Sequence, residues 1–325
     1  MSVLAFTLCS KNYLGQATTF YDSFKKHNPG VTTIIGIVDK LFPEEKDSIK
    51  NYEFIEMDTI GHPSFEDMKS RYTIVELNTA VKPYYIQHFF DTYKHVDKVI
   101  YFDPDVYFFN NISSIENNLD KFDFILTPHF FTPIYDKHWL SEKVVLNTGI
   151  FNLGFFAVRR GDTADKLLNW WCRKLYNECI HDLSDGYFVD QLWMNLSICH
   201  FDNYLVDKNP GLNAAHWNFH ERYFKLEDGK WLVNDKNNLV FFHFSTYKPD
   251  MPSKIADWQN RFTFESRPDI VPLFEIYRTH LIRNNYTFFK NLKPLYGITK
   301  KKKKPISYVK RASNYIKRKI TKELR

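Results

Sequence analysis

Through its first two-thirds the chain alternates short β-branched and aromatic runs with longer amphipathic stretches, and this alternation restricts the fold more than any other feature. "VLAFTL" (3–8) and "VTTIIGIVD" (31–39) read as buried strands around a helical stretch at 16–27. "YEFIEM" (52–57) reads as a third strand, and "TAVKPYYIQHFFDTY" (79–93) as a helix entered at Pro83. "KVIYF" (98–102), "FDFILT" (122–127) and "GIFNLGFFAV" (149–158) follow. An amphipathic helix then spans 162–179, with Asp162 and Asp165 in its first turn, where acids favour the dipole. Strands separated by helices predict an α/β fold with a mostly parallel sheet. Ligands of such sheets lie beyond the carboxyl ends of the strands. "GYFVDQLWMNLSI" (186–198) reads as a shorter helix, and 254–294 as helical and aromatic.

A chain of 325 residues can bury a sizeable core. The opening "MSVLAFTLCSKNY" has no basic n-region and too short an apolar run for a secretory leader. The four cysteines (Cys9, Cys172, Cys179, Cys199) form no CxxC pair, which fits reduced thiols and a cytoplasmic location.

The net charge of +6 conceals an asymmetry. From Tyr296 onward twelve Lys/Arg face one Glu, so the tail carries +11 and the rest of the chain −5. An acidic body is not built to grip nucleic acid, and none is expected as a partner. In the tail, Lys300–Lys304 precede Pro305, and Val309, Ala312, Ile316, Ile320 and Leu324 recur at helical spacing among basic residues. This pattern suits either a basic amphipathic helix lying on an anionic membrane surface or a solvated lysine tail.

The run "VIYFDPDVYFF" (99–109) ends a strand in two carboxylates. One or two Asp-x-Asp triplets are expected by chance, so placement decides its meaning. Asp103 and Asp105 fall where a parallel strand delivers ligand-facing residues, and Pro104 stops the ladder there. Two close carboxylates repel unless a proton or cation stands between them. The alternatives are a divalent-cation site and an ordinary Asx-type turn. A second apolar strand, "FFHFSTYKP" (241–249), delivers His243, and one imidazole beside two carboxylates suits Mn²⁺, or Mg²⁺, better than an all-oxygen Ca²⁺ cage. Taken alone, a histidine in such a strand is more often a satisfied core residue than a ligand.

Four segments in register, "VIYFDPDVYFF", "FNLGFFAV" (151–158), "DQLWMNL" (190–196) and "HFSTYKP" (243–249), resemble the retaining nucleotide-sugar glycosyltransferases of family 8 and their bacterial relatives. The resemblance covers residues 1–290 or so. It implies the GT-A fold: a Rossmann-like, mostly parallel mixed sheet flanked by helices, with a helical C-terminal extension. The division it implies is a nucleotide-sugar-binding and catalytic domain at 1–250, a helical part of the same domain at 251–295, and the basic tail at 296–325.

By the same resemblance, Asp103, Asp105 and His243 hold the metal. Thr7, Asn12 and Tyr13 in "TLCSKNYL" hold the uracil and ribose, and Lys82 reaches the donor. Asn152 and Gly154 line the donor sugar, and Asp190 with Gln191 stands beside the anomeric carbon. Lys248 is the diphosphate lysine, although it comes one residue earlier than in better-known members, and Thr246 stands where the family often has glycine.

The function so implied is a metal-dependent retaining hexosyltransferase. It moves sugar from a UDP-sugar to a glycan or lipid-linked acceptor in cell-surface polysaccharide synthesis, at the inner face of the membrane. A non-catalytic GT-A scaffold that binds nucleotide sugar is the alternative. A nucleotidyltransferase is disfavoured, because no glycine-rich, lysine-bearing phosphate loop follows the first strand.

Asp190 alone also fits a helix N-terminal acid. In "GLNAAHWNFHERYF" (211–224), Trp217 either stacks on a sugar or plugs the core, while Asn213 and Asn218 are candidate hydroxyl ligands. Trp170 and Trp171 read as helix packing. Arg71 and Tyr72 fit either donor contact or the surface.

Overall fold

A computed structural model describes residues 2–299, and the lysine-rich tail from Lys300 onward lies outside the described residues. The strands are β1 (Ser2–Cys9), β2 (Thr32–Ile37), β3 (Phe54–Glu56), β4 (Val96–Phe102), β5 (Val106–Phe108), β6 (Phe124–Leu126) and β7 (Phe155–Arg159). After them come β8 (His181–Asp182), β9 (Tyr187–Phe188), β10 (Tyr204–Val206), β11 (Phe224–Glu227), β12 (Lys230–Val233), β13 (Asn237–Asn238) and β14 (Phe241–His243).

Seven of these form the central sheet, in the order β10-β6-β7-β4-β1-β2-β3. β1 pairs in parallel with β2 and β4, β2 with β3, and β10 with β6, whereas β7 runs antiparallel to both its neighbours. The sheet is thus the expected mixed, mostly parallel one. β1 is buried along nearly its whole length, as a central strand covered on both faces must be.

Alternation along β4 assigns its side chains to two cores. Val99 and Tyr101 join the layer that includes Phe6, Tyr85, Phe89 and Trp171, under the helices Lys82–Thr92 and Asp162–Glu178. Ile100 and Phe102 join Phe20 and Phe24 of the helix Leu14–His27 on the other face. Edge-to-face contacts of Phe102 and Phe24 with Phe108, both at 4.9 Å, lock β5 against this layer.

β5 and β14 make a separate antiparallel ribbon in which His243 stands opposite Val106. The helix Val271–Arg283 packs on it, with Tyr277 stacked on Phe244 at 4.1 Å. This helix and Tyr286–Phe289 are the helical extension expected from the sequence, but residues 254–267, also expected to be helical, form no helix. The irregular segment that replaces it is fixed by side chains, among them Gln259 accepting from the Arg261 and Phe262 N–H groups.

The expected single helix at 186–198 is also corrected. Tyr187–Phe188 pairs with His181–Asp182, Val189 takes φ +40°, and two short helices, Gln191–Met194 and Ser197–His200, follow. A β-branched residue in the left-handed region stops a helix from starting earlier. No helix among the described residues is long and apolar enough to cross a membrane.

Candidate active site

The β4 strand ends because Pro104 cannot donate to the ladder, and the chain turns, with the Val106 N–H donating to the Asp103 carbonyl (3.1 Å). The Asp103 N–H donates to the Gly154 carbonyl (2.8 Å), and the Phe244 N–H to the Asp105 carbonyl (2.9 Å). The triplet is therefore clamped between the start of β7 and the end of β14. The ribbon register brings His243 to it: Nε2 lies 3.0 Å from Asp105 Oδ1 and 3.7 Å from Asp103 Oδ2. One ligand atom from each of Asp103, Asp105 and His243 lies within 4.8 Å of the others.

Two of the three members are held from behind. Tyr101, two residues earlier on the same side of β4, donates its hydroxyl to Asp103 Oδ1 (2.5 Å). Nδ1 of His243 faces Asn213 Oδ1 at 3.3 Å, a contact that orients the ring so that Nε2 points at the carboxylates. Trp217 meets the imidazole edge-on, with ring centres 5.1 Å apart. Burial opposes a charge on His243, but Asp105 and Asp103 outweigh it and hold its pKa above the usual value. The site therefore favours a positive charge at this point, and two hard carboxylates with one imidazole fit a divalent cation.

Behind Asp103 lies a buried ion pair: Lys82 Nζ is 2.7 Å from Asp190 Oδ2 and 3.7 Å from Asp103 Oδ1, and it donates to the Leu153 carbonyl (3.0 Å). Burial works against the charge on Lys82, but Asp190 and Asp103 raise its pKa. Burial also raises that of Asp190, with Lys82 opposing and Asp103 adding to it. Asp190 precedes the helix Gln191–Met194 but makes no side-chain cap, so its carboxylate serves Lys82 and not the helix end.

The remaining expected residues divide into two groups. Asn12, Tyr13 and Lys248 line one cleft together with Asp105, beside Gln16, Tyr286 and Lys290. Burial first, and then Asp105, push the Tyr13 pKa up to about 12, so it is a neutral phenol. Lys248 pairs with Asp257 at 2.6 Å. Lys290, which sequence reasoning did not single out, pairs with Asp250. No local pattern announces Lys290, because only the packing of the C-terminal helices brings it to the cleft. Tyr101, by contrast, was legible, since its spacing from Asp103 on a strand fixes their common side.

The second group is engaged internally. Asn152 Oδ1 accepts from the Gly154 N–H (3.1 Å) and from Asn213 Nδ2 (3.1 Å). Gln191 accepts from the Leu153 N–H (3.2 Å) and donates to the Thr148 carbonyl (2.9 Å). Gly154 is needed for shape, because a Cβ there would fall 2.3 Å from His243 Cε1. Thr7 is buried in β1, and its hydroxyl has no partner among the described residues.

Asn213 and Asn218 are not hydroxyl ligands held ready: both are buried, and Asn218 donates to the His129 and Asn213 carbonyls (3.0 Å each). Trp217 is a core plug among His129, His216 and His243. Trp171 packs on Phe156, and Trp170 on His200 and Phe201, as helix packing predicts. Arg71 pairs with Asp67 at 2.8 Å, and Tyr72 donates to the Leu175 carbonyl (2.6 Å), so both have structural partners.

No protein-family model matches the chain. It is 24% identical over 287 residues to the uncharacterized protein YfnF of Bacillus subtilis (strain 168), covering 86% of this chain and 93% of YfnF. It is 22% identical over 245 residues to the uncharacterized protein YfnD of the same organism, covering 74% and 76%. Among solved structures, the bifunctional glycosyltransferase WbbM superposes with a TM-score of 0.54 and 12% identity, over 87% of this chain and 51% of that one. The galactosyltransferase LgtC, solved with donor and acceptor sugar analogs, superposes with a TM-score of 0.50 and 13% identity, over 86% of this chain and 95% of LgtC. The sheet order, its single antiparallel insertion and these superpositions together give the chain the GT-A glycosyltransferase fold.

Proposed function

We propose that the protein is a metal-dependent, retaining glycosyltransferase that moves a hexose from a UDP-sugar to a glycan or lipid-linked acceptor. The observation that carries this reading is the convergence of Asp103, Asp105 and His243 at the end of β4, on the edge of a cleft that also holds Asn12, Tyr13 and Lys248.

Asp103, Asp105 and His243 would hold Mn²⁺ or Mg²⁺, which as a Lewis acid offsets the charge that grows on a departing diphosphate. Tyr101 and Asn213 hold two of those ligands in orientation. Tyr13, half-exposed on the cleft, offers a ring to a nucleobase, and Asn12 a polar side chain to the ribose. Lys248 can exchange Asp257 for a phosphate oxygen through charge-assisted hydrogen bonds. Asp190 is held by Lys82 and is therefore suited to stabilise positive charge at the anomeric carbon and not to take the acceptor proton. Gln191 and Asn152 shape the wall of the sugar pocket through their backbone contacts. We assign residues 1–250 to the nucleotide-sugar-binding and catalytic part, and 251–295 to a helical part of the same domain. A role in cell-surface polysaccharide synthesis, with the basic tail at an anionic membrane surface, completes the proposal.

The test is release of UDP from a panel of UDP-sugars with Mn²⁺ present. Turnover that stops on chelation is the expected result. Tight UDP binding without release from any donor would instead favour a nucleotide-sugar-binding scaffold.

A further inference from the structure

Two long loops leave the site and meet again at a distance. The first follows β6 and passes His129, whose ring faces Asn152 at 3.3 Å. The second follows β14 and passes Thr246 and Lys248 on the cleft. They are stitched together: Arg261 grips both oxygens of Asp136 (2.7 and 2.9 Å), Trp139 N–H donates to Asn260 Oδ1 (2.7 Å), and Asn260 N–H to the Trp139 carbonyl (3.1 Å). A bidentate guanidinium–carboxylate pair fixes geometry as well as adding energy. Asp257 ties this pair of loops to the cleft, since its N–H donates to Thr246 Oγ1 (2.9 Å) and its carboxylate pairs with Lys248.

This shaped rim displays aromatic rings to solvent. Tyr135 is 93% exposed, Trp258 is 61% exposed and Trp139 is 46% exposed. Trp258 directly follows Asp257, which is bonded to Thr246 and Lys248 of the cleft. Several exposed rings on one braced surface call for a partner. The charges nearly cancel: residues 131–141 and 244–261 contain Asp136, Asp250 and Asp257 against Lys137, Lys248, Lys254 and Arg261, and Lys248 and Lys254 both pair with Asp257. An anionic lipid surface selects a large excess of Lys and Arg, which this rim lacks. An uncharged, hydroxyl-rich ligand with apolar C–H faces is complementary to it, because the negative face of an aromatic ring attracts such C–H groups.

We propose that the rim formed by these two loops is a platform for a neutral oligosaccharide, and that the acceptor is a glycan several sugars long stacked on Trp258, Trp139 and Tyr135. This inference rests on the transferase reading of the adjacent site and decides the class of acceptor within it.

The test compares the full chain with the W139A/W258A double variant on an array of neutral and acidic oligosaccharides, with UDP release assayed on the same preparations. Wild-type binding to neutral glycans, weakened at least tenfold in the variant while UDP binding and the melting temperature are unchanged, is expected. A wild type that binds no glycan, or a variant that binds as well, overturns the platform. So does a variant that has lost only binding to phosphatidylcholine–phosphatidylglycerol vesicles, or only a dimer seen by light scattering. Absence of UDP release from the wild type overturns the transferase reading, while the array still decides whether the rim binds carbohydrate. Tyr135→Ala, which removes an exposed ring and leaves the Arg261–Asp136 pair in place, should weaken glycan binding in the same direction without altering the melting temperature.

Discussion

Nε2 of His243 lies 3.0 Å from Oδ1 of Asp105, although three strands of the central sheet, β6, β7 and β10, come between the two in sequence. The β5–β14 pairing makes this contact, and Asn213 behind the ring orients it. A ligand set assembled from two elements and braced by a third is rigid before any cation arrives, which is what tight binding of a small ion requires.

Asp105→Asn and His243→Ala should each weaken Mn²⁺ binding by at least the roughly ten- to hundredfold that losing even an outer-shell partner causes. Isothermal titration with Mn²⁺ alone measures this without dependence on turnover. Unchanged affinity in both variants removes the metal assignment.

Gly154→Ala tests the packing behind the cluster. The added Cβ would lie 2.3 Å from His243 Cε1 and 2.6 Å from Nδ1, so the imidazole has to move. Overpacking of this kind costs about 1–3 kcal/mol. Urea denaturation should show the loss, and Mn²⁺ affinity should fall with it. A variant with wild-type stability and affinity would mean that the glycine is dispensable.

Lys82→Met leaves Asp190 buried without its cation. Breaking one side of a buried ion pair costs about 3–5 kcal/mol, whereas replacing both members by apolar groups is often nearly neutral. The double variant Lys82→Met/Asp190→Leu should therefore recover most of the stability lost in the single one, measured by chemical denaturation. UDP release should not recover, because the pair also faces Asp103.

Stability should depend on pH through the buried histidines. Burial holds His129 down to about 4 and His216 down to about 3, with His243 adding to both shifts. An unfolded histidine titrates near 6.5, so between roughly pH 6.5 and 4 the unfolded chain binds more protons and stability falls as the pH falls. For His129 the full loss approaches about 3 kcal/mol at 1.36 kcal/mol per pH unit. The slope of unfolding free energy against pH over this window should flatten by up to one proton in His129→Gln. A slope unaffected by that change assigns the dependence elsewhere.

Local chemistry made most strands of the central sheet legible, because period-two burial, β-branched runs and a chain-stopping proline are written in neighbouring residues. "KVIYF" followed by Asp-Pro-Asp announced both a buried strand and a ligand-facing end, and β4 with its turn is that arrangement. Where the pattern was helical but the partners non-local, it misled. At 254–267, side-chain hydrogen bonds outcompeted helix formation, and at Val189 a left-handed residue delayed a helix until Gln191.

The roles of individual polar residues were decided by tertiary structure alone. Asn213 and Asn218 look like free hydroxyl ligands in sequence, yet burial obliges their amides to pair internally, since an unpaired amide in the core is costly. Lys82 and Asp190 are unrelated in sequence and become one ion pair only where the helix Lys82–Thr92 crosses the end of β4. Sequence by itself determined six of the seven strands of the central sheet and which of them ends in acids, because those depend on near neighbours. Which side chains meet at that end depends on contacts between distant segments, and only the folded chain decides them.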